Sequence, residues 1–335
     1  MWRRAHDAGY RRSPLVPIGA FGAGVLVLYV VLIPNVATGV ATRTTMPSAR
    51  GQPLASAQVR PDALAPFVTP VLAQGRWRPV GRLVNGKFAV FTTQLKLPDN
   101  PSVHVGIAWM NTSFLRARLY SGSLSPGGLF WKYTAPISPA ASRTLVAAFN
   151  GGFLLKDARG GYLSEGHLVA PLQVGAASLV IFANGTATVG AWDVDVHMTS
   201  TVVAVRQNLM LLVDHGVPVG GLNPNDVNAW GSSLHNVVNT PRSGLGVTMN
   251  GDLIYVSGPM TIVDLARTLV RAGAVRAMEL DINPVWPVFA SYRPTPNNGR
   301  ATPANGTDLL ATMYQTPARF FEPAYARDFI TMSAP

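Results

Sequence analysis

The run 261–284 leaves this chain less conformational choice than any other part of it. Thr261 followed by Asp264 predicts a capping box, in which each side chain satisfies a backbone N–H at the start of a helix. Ile262, Leu265, Ala266, Leu269 and Val270 fall on one helical stripe, and Gly273 stands where a left-handed residue ends a helix. The helix leads directly into Arg276-Ala277-Met278-Glu279-Leu280-Asp281-Ile282-Asn283-Pro284, whose period of two predicts a strand. Met278, Leu280 and Ile282 would then enter one core, while Glu279, Asp281 and Asn283 share the opposite face. Such a row of two acids and an amide can be the wet face of an antiparallel sheet or the floor of a catalytic cleft.

Antiparallel sheet is expected on other grounds. Residues 178–183 and 186–189 flank Asn184-Gly185, and residues 246–249 and 252–256 flank Asn250-Gly251. Asn-Gly between alternating apolar runs predicts a hairpin with a two-residue turn. Strand-like pieces also occur at 88–92, 103–110, 115–120 and 145–149, separated by Pro, Asn and Gly. The expected fold class is α+β: mostly antiparallel sheet with helices packed on it, plus one N-terminal transmembrane helix.

That last element comes from residues 15–33, which hold no charge and are about long enough to cross a bilayer as a helix. Arg3, Arg4, Arg11 and Arg12 precede it, so the positive-inside rule keeps the N-terminus in the cytoplasm and exports the rest. A cleaved signal peptide is the competing reading, with Gly39-Val40-Ala41 as small residues for cleavage. The expected organisation is a cytoplasmic tail at 1–14, an anchor at 15–36, a Pro/Ser/Thr/Ala-rich linker at 37–75 and an exported domain at 76–335. The expected location is the cell membrane, with a single pass.

Composition removes whole classes of chemistry. The 335 residues include no cysteine, which excludes disulfides, thiolate metal sites and cysteine nucleophiles. The net charge of +11 comes almost wholly from scattered arginines, not clustered with aromatics, which favours anionic surfaces or polymers over nucleic acid. Serine-hydrolase elbows, P-loops, dinucleotide fingerprints and His-Glu-x-x-His spacing do not occur, so no cofactor or metal is expected.

Leu145 to Phe149 runs into Asn150-Gly151-Gly152-Phe153, where two glycines let the backbone turn tightly and come close to a neighbour. Arg206-Gln207-Asn208 forms a second dense polar cluster, and Glu165 and His167 sit in a loop between the two.

In succession, Ala148-Phe149-Asn150-Gly151-Gly152-Phe153, Arg242-Ser243-Gly244-Leu245-Gly246-Val247, the Asn250-Gly251 hairpin, the capped helix and Met278-Glu279-Leu280-Asp281 resemble the phosphodiester glycosidase family. The resemblance spans about residues 147–283. It implies a glycosidase that cuts between a sugar's anomeric carbon and a phosphodiester. Its site would use Asn150, Gly151, Gly152 and Arg242 to bind substrate and Asp281 as the principal carboxylate. Glu279 is the possible partner acid, and Asn283 could hold a sugar hydroxyl. One departure stands out: family members continue from Leu-Asp into glycines and a serine, where this chain has Ile282-Asn283-Pro284-Val285-Trp286.

The chemistry fits those residue types. A phosphate on an anomeric carbon is already a fair leaving group, so the main needs are a cation for the phosphate and a carboxylate at the oxocarbenium-like centre. Arg242 suits the first because its planar fork can take two phosphate oxygens. Carboxyl groups two residues apart on a strand leave the retaining and inverting outcomes both open. The expected substrate is a phosphosugar or anionic polysaccharide of the cell envelope; the alternative is a non-catalytic protein that binds or scaffolds such a glycan.

Overall fold

The computed structural model describes residues 77–128, 131–233 and 237–335, all within one compact unit. The tail, anchor and linker expected at 1–75 lie outside the described residues. Among the described residues no helix is long and apolar enough to cross a membrane.

Eighteen strands are described: β1 (Arg78–Val84), β2 (Lys87–Leu97), β3 (Asn100–Met110), β4 (Arg116–Tyr120), β5 (Leu145–Asn150), β6 (Tyr162–Ser164), β7 (His167–Ala170), β8 (Ala177–Phe182) and β9 (Ala187–Ala191) come first. After them come β10 (Val202–Gln207), β11 (Leu211–Asp214), β12 (Val217–Pro218), β13 (Thr240–Thr248), β14 (Leu253–Met260), β15 (Ala274–Asp281), β16 (Phe289–Tyr292), β17 (Gly306–Asp308) and β18 (Phe329–Ser333). They form one eight-stranded sheet, ordered β1-β2-β3-β14-β13-β15-β11-β12, and two five-stranded sheets, β7-β6-β10-β8-β9 and β17-β16-β5-β18-β4. The strand pairs are antiparallel throughout.

Helices are few. Beyond the single turns α1 (Leu155–Ala158) and α2 (Val227–Trp230) and three short 3₁₀ turns, the described residues hold one longer α-helix, α3 (Ile262–Arg271). The expected predominance of antiparallel sheet is thus observed, while the α+β class is corrected toward a more β-rich fold with few helices, because most of the chain's apolar periodicity is two rather than 3.6.

α3 forms as its sequence dictates. Thr261 Oγ1 accepts from the Asp264 N–H, the Asp264 carboxylate accepts from the Thr261 N–H, and Gly273 adopts φ +96° beyond the helix end. Ile262, Leu265, Ala266 and Leu269 are fully buried against one face of the large sheet, where they meet Ile107, Trp109, Ile254 and Val256. The opposite face of that sheet contributes Ala108, Met110, Leu253 and Tyr255 to a core shared with both smaller sheets, including Phe149 of β5, Leu179 of β8 and Ile330 of β18. Alternation along β3 and β14 thus feeds two cores at once.

Two details differ from the expectations. Both Asn-Gly hairpins form, but with three-residue loops: the Gly251 N–H donates to Thr248 O while Thr248 N–H donates to Asp252 O, and Gly185 and Phe182 repeat the pattern around Asn184. Only the glycine of each pair has positive φ, so each loop is a tight turn capped by a left-handed residue rather than a turn needing two left-handed residues. Ile282 also leaves the core that Met278 and Leu280 enter and packs with the α3 side.

Arg82, 4% exposed, ties β1 to the neighbouring sheet without a carboxylate. Its guanidinium donates to the carbonyls of Leu145 (2.9 Å), Arg143, Ser142 (3.2 Å), Asn297 (3.1 Å) and Gly299 (2.9 Å). Burial lowers its pKa, yet the ring of carbonyl dipoles holds the charge.

The capping box gives a direct check on α3. Thr261→Ala removes the side-chain acceptor at the helix start and should lower unfolding free energy by about 1 kcal/mol, read as a shift in the urea midpoint at unchanged slope.

Candidate active site

Three sheets bring their strand ends together at one place. Asn150 closes β5, Gln207 closes β10 and Asp281 closes β15, while Arg327 and Asp328 immediately precede β18. The Asn150-Gly151-Gly152 turn lies at the centre of this meeting point.

The glycines are required by what packs on them. A Cβ on Gly151 would stand 2.1 Å from Asp328 Oδ2, and one on Gly152 would stand 2.9 Å from both the Arg206 guanidinium and Asn208 Oδ1. Asp328 and Arg206, both fully buried, form an ion pair at 2.7 Å, and Arg206 also donates to the carbonyls of Phe153 and Gln207. Asn208 accepts from the Phe153 N–H (3.0 Å) and donates to Glu279 O (2.9 Å), fastening the turn to β15. Asn150 is itself fully used: it donates to Gly151 O (2.9 Å) and Ser243 Oγ (3.0 Å) and accepts from Tyr255 OH (2.8 Å) and the Val288 N–H (3.1 Å). Asn150 and both glycines are buried in the frame of the site.

Glu279 and Asp281 are close in sequence but have different surroundings. Asp281 pairs in register with Ser243 and Glu279 with Gly244, so Leu280 is an extra residue, a bulge that re-aims the strand end beyond it. Neither acid is on a wet sheet face: Glu279 is fully buried and Asp281 is 2% exposed. Glu279 Oε1 accepts from Arg242 at 2.8 Å, while its Oε2 has no hydrogen-bond partner among the described residues. Burial, opposed by Arg242, pushes the Glu279 pKa up to about 7. Arg242, 3% exposed, also donates to Met260 O (3.0 Å) and Val238 O (3.3 Å). The fork expected to meet phosphate is here engaged by Glu279 and backbone carbonyls.

Asp281 opens onto a cleft of about 690 Å³. Its Oδ1 accepts from the N–H groups of Ile282 (2.9 Å) and Asn283 (3.0 Å), and its Oδ2 pairs with the Arg327 guanidinium. Burial outweighs those three stabilising contacts and pushes its pKa up to about 6. Arg327, 6% exposed, also donates to Gly152 O (3.3 Å) and lies 4.8 Å from the Trp286 ring centroid, a cation–π arrangement. Its Nε has no hydrogen-bond partner among the described residues. Lys156 and Asp157 of α1 and Arg159 directly after it line the same cleft, as does Phe153.

Of the residues expected from sequence, Asp281 and Asn283 line this cleft, while Glu279, Asn150, Gly151, Gly152 and Arg242 are not among its lining. Asn283 Oδ1 accepts from the Val285 N–H (3.2 Å), the behaviour of a turn residue before proline. Glu165 instead accepts from the N–H groups of Lys132 and Tyr133, both at 2.9 Å. Arg206-Gln207-Asn208 does lie at the site, as structural support. Sequence reasoning missed Arg327 and Asp328. The available signal was an oppositely charged dipeptide in the otherwise uncharged stretch 323–335, where charges are buried only when paired.

With this geometry in view, comparison with known proteins gives a class. The family described as phosphodiester glycosidase matches residues 143–281. By that match this stretch, from the approach to β5 through Asp281, belongs to the phosphodiester glycosidase family. No curated protein sequence matches the chain. Among solved structures, a zebrafish N-acetylglucosamine-1-phosphodiester alpha-N-acetylglucosaminidase catalytic domain, auto-inhibited by its pro-peptide, is 15% identical, with a TM-score of 0.46, covering 78% of this chain and 88% of that one. A hypothetical protein from Synechocystis is 12% identical, with a TM-score of 0.44, covering 79% of this chain and 65% of that one.

The packing on the glycines predicts their intolerance. Gly151→Ala should destabilise the fold by about 3 kcal/mol or more, since either Asp328 or the turn must move. Asp328→Asn, which leaves Arg206 buried without its counter-charge, should cost about 3–5 kcal/mol. Thermal or urea unfolding of the two variants measures both.

Proposed function

We propose that the chain is an exported, membrane-anchored glycosidase that hydrolyses a sugar-1-phosphodiester linkage of a cell-envelope glycan, with Asp281 as its catalytic carboxylate and Arg327, rather than Arg242, as the phosphate-binding cation. The observation that carries this reading is the pairing of Asp281 with Arg327 in a cleft rimmed by further cations. Export and anchoring rest on residues 15–33 and the arginines before them.

The cleft lining holds three cations, Lys156, Arg159 and Arg327, against two acids, Asp157 and Asp281. That balance suits a monoanionic diester. Arg327 is nearly buried, partly desolvated and backed by Trp286, so its attraction for a phosphate oxygen is stronger than that of a surface arginine. As the diester enters, it competes with Asp281 for the guanidinium and leaves the carboxylate directed at the anomeric carbon. Asp281 then stabilises the developing oxocarbenium charge, attacks it or deprotonates water, and the phosphate departs without strong protonation. Phe153 and Trp286 supply apolar surface for the sugar ring.

The pH dependence comes from the ionised form of Asp281 being the active one. Because burial lifts its pKa to about 6, kcat/KM should be flat above that value and fall tenfold per pH unit below it. Asp281→Asn should remove turnover of sugar-1-phosphodiesters by roughly 10²–10⁴-fold, together with the acid limb. Arg327→Lys, which keeps the charge but loses the fork, should lower kcat/KM about tenfold or more. Sugar release measured across a panel of sugar-1-phosphodiesters and wall-polymer extracts tests all three. Equal background release by wild type and Asp281→Asn would overturn the reading, and binding without turnover would favour the scaffolding alternative.

A further inference from the structure

A second cleft, of about 470 Å³, shares no lining residue with the first. It opens between the β1–β2 hairpin and β17, two sheet edges brought together by the fold. Six polar side chains line it: Arg78 of β1, Thr92, Thr93 and Gln94 of β2, and Thr307 and Asp308 of β17.

Two of these groups lack partners. Thr93 is only 4% exposed, and its Oγ1 has no hydrogen-bond partner among the described residues; the same holds for Asp308 Oδ1. Native folds rarely leave a buried hydroxyl and a buried carboxylate oxygen both unsatisfied. Burial also pushes the Asp308 pKa up to about 6, the mark of a carboxyl group short of compensating contacts. Gln94 is partly engaged, donating to Leu309 O at 3.2 Å.

The set of groups selects a ligand class. An acid and several hydroxyls ask for donors, and a guanidinium and an amide offer donors in return, so the fitting ligand both donates and accepts at closely spaced positions. Val80 and Leu309 add two small apolar surfaces beside them. Adjacent hydroxyls on a ring with C–H faces meet that description. A second phosphate does not, because Asp308 would repel it. The volume falls in the lower part of the range of small-ligand sites, about 300–1,000 Å³.

We infer that this second cleft is a saccharide-binding subsite, holding one or two neutral sugar units of a glycan apart from the cleft of Asp281. Its ligand class is read from its own lining and stands independently of the phosphodiester chemistry. The subsite would hold a polymer on the protein without taking part in bond cleavage.

The test uses the full-length chain, titrated calorimetrically with maltohexaose, cellohexaose and mannohexaose. At least one should bind, and Asp308→Ala should weaken that binding about tenfold or more, the loss expected for hydrogen bonds to a charged group. Thr93→Val should weaken binding as well, yet leave the melting temperature of the free protein unchanged or raised, because it removes an unsatisfied hydroxyl while keeping the shape. Neither variant should alter turnover of a small sugar-1-phosphodiester by more than about twofold. The proposal is overturned if no hexasaccharide binds, if both folded variants bind as wild type does, or if Asp281→Asn abolishes the binding instead. Loss of phosphodiester turnover in Asp281→Asn with binding intact would separate the two clefts.

Discussion

The ion pair between Asp328 and Arg206, closed over Gly151 and Gly152, is the contact on which the rest of the structure depends. It joins the segment entering β18 to the end of β10, and it does so at the exit of β5. Neither charge reaches water, so each holds the other in place, and removing one would strand its partner in a low-dielectric interior. The two glycines are the steric condition for that approach. Once it is made, the adjacent Arg327 is carried to Asp281, and Asn208 is carried to the backbone of β15.

The Asp281 and Glu279 carboxyl groups show how environment divides the roles of like groups. Both are buried and both have raised pKa values, but Glu279 faces Arg242 behind the sheet whereas Asp281 faces Arg327 at the cleft. The bulge at Leu280 is what separates them. In a regular strand with Leu280 paired in register, alternation would keep both acids on the same face of β15.

How much of the fold and the site was legible in the sequence depends on the range of the interaction. The α3 cap, its apolar stripe and Gly273 act within a few residues of one another, and they form as the sequence implies. The hairpins around Asn184 and Asn250 were legible as hairpins, but the loop length was not, since Asn-Gly serves both a two-residue loop and a three-residue one. That Asp281 would line a cleft was legible from the Leu-Asp pattern. The positions of Arg242 and Arg327 were not, because which arginine faces a cleft is settled by pairing between strands far apart in the chain. Arg327 lies 46 residues from Asp281 and Asp328 lies 122 from Arg206, with no local pattern to connect them. The predominance of sheet over helix was only partly legible, because α3 carries strong local signals over ten residues while many of the strands are short and carry weak ones.

Arg327 and Asp328 also constitute an error check on assembly. They are neighbours with opposite charges, sent in opposite directions to partners of opposite sign. Were the C-terminal segment to dock one residue out of step, a slip one way would set Asp328 against Asp281 and leave Arg206 without its acid, and a slip the other way would set Arg327 against Arg206 and leave Asp281 without its cation. A mis-threaded β18 is thus penalised electrostatically twice, whatever apolar contacts it preserves. A one-residue insertion or deletion inside β18 would force the same mismatch on these charges, whereas one in the loop before Ala326 would leave the pairs in register.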